Sequence, residues 1–381
     1  MTSWIEDELR GSTFSDVRLG KRFRKLVGQL SDRIGQSLPL ACQDWSNTKA
    51  AYRFLANERV NEAEILQGHW QATQSRFTAT SGPVLVLHDT TEFSYHRDDM
   101  LAVGITHKSF IRKKQDGRAK LHTVCGIMMH SSLVVTPEGV PLGLGALKFW
   151  IRKRFKGTNQ LKGKINTTRI PIEKKESVCW IENLKQSNAL LNDPERCVYV
   201  GDRGSDIYEL FCTAAEIGTH FLVRTCVDRL AGDGSFTIAD EMREARVNGL
   251  HRIEVRDKRG HSSEAVLELK YRKIRVLPPI GKQRRYPELL LTVIFAEEIG
   301  APKGRDRIDW KLITDVPVNS RREAVEKLAW YALRWKIETF HKILKSGCKA
   351  EELKLRTAQR LANVLAVFCI LSWRVFWMSM I

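Results

Sequence analysis

No run of about 18 consecutive apolar residues occurs in the 381-residue chain, so its composition does not predict a membrane-spanning helix. The most apolar late stretch, Leu361 to Ile381, is broken by Asn363, Ser372 and Arg374. The first ten residues hold three acids, Glu6, Asp7 and Glu8, and lack the apolar stretch of a secretory leader. No two cysteines share a C-x-x-C spacing. The eight, at 42, 125, 179, 197, 212, 226, 348 and 369, are scattered, mostly among apolar neighbours. They read as buried free thiols of a protein in a reducing cytoplasm, not as disulfides or zinc ligands. Internal repeats and low-complexity tracts are absent too.

What is present is a globular composition, 43% hydrophobic and 28% charged. The length allows two or three domains. Lys and Arg number 62 against 44 Asp and Glu, a net charge of +18. Such an excess favours a polyanionic partner, and with no membrane signal nucleic acid above an anionic membrane; a ribosomal-type or merely soluble basic protein is the competing reading.

Residues 1–80 read as helical. From Phe14 to Leu38, Val17, Leu19, Phe23, Leu26, Val27, Leu30 and Ile34 recur at helical spacing, and the other face carries Arg18, Lys21, Arg22, Arg24 and Lys25. Near Pro83 the period changes. Val84 to Leu87 is a continuous apolar run, the mark of a strand buried on both faces. Leu121 to Val135 and Val140 to Ile151 follow as strands joined by the turn Thr136-Pro137-Glu138-Gly139. Glu173 to Leu191 reads as a helix, Cys197 to Val200 as a second short buried strand, Ile207 to Ile217 as a helix and Phe221 to Val223 as a strand. Residues 81–226 therefore predict a mixed α/β sheet covered by helices. Residues 227–316 predict a β-rich insertion, and 317–381 a return to helices, with one long helix over Ser320 to Lys345 and another over Ala358 to Trp377.

Two acids follow the buried strands, Asp89 in His88-Asp89-Thr90-Thr91 and Asp202 in Gly201-Asp202-Arg203-Gly204. Strand ends of an open α/β sheet are where ligands bind, and paired carboxylates suit Mg²⁺ or Mn²⁺. Either Asp could instead simply cap its turn. On the helix of residues 320–345, Tyr331, Arg334, Glu338 and Lys345 fall on one face at about 100° per residue. A phenol, a guanidinium, a carboxylate and an ammonium together suit two-metal phosphoryl transfer, with the cations on phosphate. A solvated face with an ion pair from Glu338 to Lys342 is the competing reading.

These segments resemble the transposon-five transposase and its insertion-sequence-four relatives. The likeness rests on His88-Asp89-Thr90-Thr91, on Gly201-Asp202-Arg203 with Asp206-Ile207, and on Tyr331, Arg334, Glu338 and Lys345. Ala51-Tyr52-Arg53-Phe54 is similar to that family's N-terminal DNA-binding part. The resemblance implies an RNase H-like catalytic core and a DDE transposase working by cut-and-paste. It implies Asp89, Asp202 and Glu338 as catalytic ligands of two Mg²⁺ ions, with Mn²⁺ as substitute. Tyr331, Arg334, Lys342, Lys345 and Arg224 would contact DNA near the cleaved end, Trp310 would receive a flipped base, and Arg53 would contact DNA from the N-terminal part. Trp310 could equally be a hydrophobic strand residue, and Arg224 an ion-pair partner of a core acid. The implied partner is double-stranded DNA, as transposon ends and target, bound by a homodimer. The family usually continues for about 100 residues past the signature helix into a dimerisation region, whereas 36 residues follow Lys345 here.

The charge map agrees. Eight Lys or Arg (148, 152, 153, 154, 156, 162, 164, 169) and no acid lie between Gly139 and Ile172. Lys108, Arg112, Lys113, Lys114, Arg118 and Lys120 add a second basic stretch, against the single Asp116. Both suit phosphate contact. Trp150 and Phe155 interleave with the first, either stacking or packing in the core. Three rivals stand beside the transposase: a tyrosine recombinase, which would need no carboxylate triad; a structure-specific nuclease on the same fold; and a shortened, non-catalytic DNA-binding regulator.

Overall fold

A computed structural model describes residues 4–380, apart from 98, 100, 101, 114–118, 153–169, 257–261, 301 and 303, and without the side chains of 108–113, 119–123 and 256. The chain opens with five helices, α1 (Trp4–Glu8), α2 (Val17–Asp32), α3 (Leu38–Cys42), α4 (Trp45–Leu55) and α5 (Glu62–Thr78). Asp16 caps α2 by accepting the Arg18 amide at 2.8 Å, and the helix buries Leu19, Phe23, Leu26, Val27 and Leu30. The helix expected to reach Leu38 stops at Asp32. Gly35 turns into left-handed backbone at φ 81°, in a close approach where a Cβ would stand 2.8 Å from the Gly347 carbonyl.

Among the described residues twelve strands form one sheet. β1 (Val84–Tyr95) lies between β3 (Ala119–Val135), antiparallel, and β5 (Cys197–Gly201), parallel. β2 (Ile105–Lys113) pairs with the first half of β3, and β4 (Pro141–Trp150) with its second half. β6 (His220–Arg224) continues parallel to β5. Lys108, Arg112 and Lys113 thus lie on β2 and Lys120 on β3, strands that charge obscured in the sequence. Helices α6 (Val178–Leu191) and α7 (Tyr208–Ile217) connect these strands.

The expected β insertion prolongs this same sheet. After β7 (Leu230–Ala231), β8 (Phe236–Thr237) and α8 (Ile238–Arg243) come β9 (Gly249–Arg256), β10 (Ser262–Val276), β11 (Leu289–Glu298) and β12 (Asp309–Thr314). β12 pairs antiparallel with β6, Leu312 opposite Arg224, so the insertion is hydrogen-bonded directly to the central strands. Three helices close the chain, α9 (Arg321–Ala332), α10 (Trp335–Lys342) and α11 (Ala358–Met380).

Side-chain alternation along β1 splits the core in two. Leu85 and Leu87 join Phe340, Leu344 and α11 on one face; Val84 and Val86 join Leu184 and Phe211 on the other. All four are fully buried, as the unbroken apolar run predicts. Among the described residues α11 is the one helix long and apolar enough to cross a membrane, with 78% of its most apolar window buried inside the protein. Three polar side chains that interrupt it have contacts within the protein. The Asn363 amide donates to the Leu55 and Val60 carbonyls, Ser372 bonds the Cys348 thiol, and Arg374 lies over Trp377. Seven of the eight cysteines are buried free thiols; Cys226 is exposed.

A buried charged node fastens the N-terminal helices to the sheet. Glu8 takes a two-pronged contact from Arg76 at 2.9 and 3.0 Å and lies 2.5 Å from His69 Nδ1. His69 Nε2 accepts the Leu144 amide of β4, so the ring is neutral and its Nδ1–H donates to Glu8. Arg76 also donates to the Leu142 carbonyl and lies over the Trp373 ring of α11. Burial would raise the Glu8 carboxyl, but the His69 N–H hydrogen bond and the Arg76 guanidinium outweigh it and lower it below its unfolded value. A depressed acid stabilises the fold fully above its unfolded value near 4.5 and loses that stabilisation as pH falls through the folded value. Glu8→Gln is therefore expected to cost about 3 kcal/mol at pH 7. Urea unfolding should show the gap to wild type narrowing as pH falls below 4.5; a gap independent of pH would remove Glu8 ionisation as its cause.

Candidate active site

The parallel β1–β5 ladder ends with Leu87 opposite Val200. Two residues further along each strand stand Asp89 and Asp202, so register and side-chain parity bring them out at the same place. Asp89 does not end its strand, as the sequence suggested. β1 continues to Tyr95 because β3 keeps pairing with it after β5 has stopped, and Ser131 lies directly opposite Asp89. Asp202 caps the tight turn Arg203–Ser205, its Oδ1 accepting the Gly204 amide at 2.8 Å. Capping and a site role are thus compatible for this residue.

Asp206 anchors the same turn. Its Oδ2 accepts from Thr225 Oγ1 and the Cys226 and Val227 amides, and its Oδ1 pairs with Arg229 at 2.6 Å. The turn carrying Asp202 is thereby tied to the segment leaving β6.

The long helix expected over Ser320 to Lys345 is broken. At Leu333 and Arg334 the chain tightens: Arg334 N bonds the Tyr331 carbonyl at 3.0 Å and Lys336 N the Leu333 carbonyl at 2.9 Å. These shorter loops redirect the helix between α9 and α10. After Lys342 the turn widens into a π segment, Ile343–Gly347. The four signature residues therefore do not share one straight face. Tyr331 is buried on α9, its ring edge-on to Trp310 at 5.5 Å. Arg334 begins α10 and donates to Glu338 Oε1 at 2.6 Å, while its Nη1 lies 3.8 Å from Asp89 Oδ2. Lys345 sits in the π segment with Nζ 5.7 Å from the Phe93 ring. Lys342 is exposed, and Glu338 pairs with Arg334, not with Lys342. Arg224 donates to the Asp309 carbonyl at 2.8 Å and, among the described residues, makes no ion pair with a core acid. Arg53 is exposed on the last turn of α4.

The acids act on one another. Burial first, then the charges of Asp202 and Glu338, raise the Asp89 carboxyl to about 6 against the Thr90 amide and Arg334. Asp89 Oδ1 accepts the Thr90 amide at 2.8 Å. Its Oδ2 is approached only at 3.8 Å by Arg334 and 3.9 Å by His341, beyond hydrogen-bond range, and so keeps its lone pairs for another ligand. Oxygen donors of this kind fit a hard divalent cation. Among the described residues no three acidic, His or Cys side chains gather closely enough to cage a metal, and Glu338 is turned onto Arg334.

Sequence reasoning missed what lies behind Asp89. His88 and His130 are buried, with His130 Nδ1 2.8 Å from Thr90 Oγ1 and Nε2 3.3 Å from His88 Nδ1, and Trp180 packs on both rings. His341 is buried and contacts Ser131. Residues so far apart in the chain form no motif; only the β1–β3 pairing joins them.

A family model described as Transposase DDE domain matches residues 157–373, more than half of the chain. The chain belongs to the DDE transposases. A second model, Transposase DNA-binding, matches residues 1–60, which span α1 to α4. DNA is thus the partner of this DDE transposase, and its mixed sheet with covering helices is consistent with the RNase H-like core of such enzymes. Asp202 and Glu338 fall inside the DDE match; Asp89 precedes it.

Two of the basic residues expected on DNA are tied to acids of the 172–191 region, Lys148 to Glu182 and Arg152 to Glu176. Residues 153, 154, 156, 162, 164 and 169, with Phe155, Lys114 and Arg118, lie outside the described residues, as do the side chains of Lys108, Arg112, Lys113 and Lys120. Trp150 packs partly buried against the core.

An acid raised in the folded state weakens the fold as pH climbs from its unfolded value, 3.8, to about 6. Asp89→Asn in the transposase is therefore expected to gain about 1–3 kcal/mol over wild type above pH 6. Urea denaturation at pH 8 and pH 4 should show this gain shrinking at the lower pH. Equal stability of the two proteins at pH 8 would contradict the strain assigned to Asp89.

Proposed function

We propose that this DDE transposase binds the ends of a mobile element and moves it by cut-and-paste, with Asp89, Asp202 and Glu338 as its catalytic carboxylates on an RNase H-like core. The observation that carries the reading is the emergence of Asp89 and Asp202 side by side where parallel pairing ends, within electrostatic reach of Glu338, in a chain of this family. Two Mg²⁺ or Mn²⁺ ions held by these three residues would polarise the scissile phosphate and make an attacking water more acidic.

The chain's own residues supply the rest. Arg334 now neutralises Glu338 and faces Asp89. Once the carboxylates are otherwise occupied, its planar guanidinium suits a two-pronged grip on a DNA phosphate. Tyr331, buried beside Arg334, adds a hydroxyl donor; no covalent protein–DNA intermediate is required, so it need not be a nucleophile. Lys342, Lys345 and Arg224 hold the strand near the cleaved end, Trp310 receives a flipped base, and Arg53 contacts the end from α4. Water nicks one strand, the freed 3′-hydroxyl attacks the opposite strand to close a hairpin, water reopens it, and the 3′-hydroxyl then attacks target DNA. Each step is an in-line displacement at phosphorus, so one acidic site serves all four. On this reading the protein acts in the bacterial cytoplasm on nucleoid DNA, as a homodimer holding two ends.

Incubation of the full chain with labelled element ends and Mg²⁺ tests this directly. Nicks, hairpins and joined products are expected from wild type. Asp89→Ala, Asp202→Ala and Glu338→Ala should each lose about three orders of magnitude or more in nicking while still binding ends. Wild-type cutting by all three variants would refute the site. Cleavage without joining would make the protein a nuclease, and binding alone a regulator.

A further inference from the structure

We infer that His341 is a positioning residue, which aims the Asp89 carboxylate and ties it to the helix that carries Glu338. The inference rests on the acidic site proposed above. His341 follows Glu338 by three residues on α10, nearly one turn, and only 6% of it is exposed. Its Nε2 lies 2.8 Å from the hydroxyl of Ser131, which is fully buried and directly opposite Asp89 in the β1–β3 ladder. Its Nδ1 lies 3.9 Å from Asp89 Oδ2. One ring therefore touches the strand beside Asp89, faces Asp89 itself and belongs to the helix of Glu338.

The chemistry of the two contacts sets the tautomer. A carboxylate facing Nδ1 favours a proton there, which leaves the Nε2 lone pair to accept the Ser131 hydroxyl. His341 thus presents a fixed N–H dipole to Oδ2 from one side while Arg334 presents a charge at 3.8 Å. Neither closes to a hydrogen bond, so Oδ2 keeps its direction without losing its lone pairs. A carboxylate aimed in this way meets a cation with less reorganisation, the role that partners behind metal ligands commonly play.

Mn²⁺ binding to the full-length protein, followed by electron paramagnetic resonance, tests the assignment alongside DNA-end affinity without metal and melting temperature. His341→Phe fills the space without a nitrogen and should weaken Mn²⁺ binding about 10- to 100-fold, with end affinity and melting close to wild type. His341→Asn, which can place an amide N–H near the Nδ1 position, should recover most of the loss. Ser131→Ala should weaken binding by less and add little on top of His341→Phe. Unchanged Mn²⁺ affinity in His341→Phe overturns the inference, as does a loss that His341→Asn fails to recover. Should His341→Phe not fold, Ser131→Ala decides, and wild-type affinity there overturns it. Asp89→Asn separates the two levels: if it weakens Mn²⁺ binding and His341→Phe does not, only the role of His341 falls, whereas if neither does, the acidic site falls with it.

Discussion

β1 and β5 run parallel and in register through an interior that is hydrocarbon on both sides, and the rest of the site depends on that pairing. A slip of one residue would send Asp89 and Asp202 to opposite faces of the sheet. In the observed register Leu85 and Leu87 are covered by one half of the core and Val84 and Val86 by the other. The acids are then carried out of a dry interior together. That accounts for their mutual influence and for the raised Asp89 carboxyl. A carboxyl raised in this way lowers local stability once it ionises.

Glu338 reaches the same place by another route. It lies on a short helix delimited by a tightened turn at Arg334 and a widened one after Lys342. Helices broken in this way commonly mark functional sites, because the break lets one element bury its apolar side and aim its polar side independently. Ile337 and Phe340 enter the core, and Glu338 meets Arg334. Arg334 gives the acids an internal counter-charge that a stronger cation or a phosphate can redistribute.

The N-terminal helices, which match a transposase DNA-binding model, are not loosely appended. Their apolar residues share one core with the sheet and α11, and the node of Glu8, His69 and Arg76 reaches β4 and lies against Trp373. A charged node of this kind contributes geometry more than net energy, since desolvation offsets much of its attraction. Here it joins α1 and α5 to β4 and α11.

By itself the sequence determined the helical N-terminal part, the doubly buried strands, the two Asp residues and the signature around Glu338, because each is written in local periodicity or in a compact motif. It also determined that α11 is apolar but interrupted. Tertiary structure alone decided that Asn363 and Ser372 find hydrogen-bond partners within the protein and that Arg374 lies over Trp377, that the β insertion extends the central sheet, and that Lys148 and Arg152 belong to acids. It decided too that Tyr331 and Lys345 part from Glu338 across helix breaks, and that His341 and Ser131 stand behind Asp89. The division has one physical cause. Side-chain period is a property of neighbours in the chain, whereas ion pairs, helix breaks and facing residues depend on strand register, which settles only when both faces of the sheet are covered.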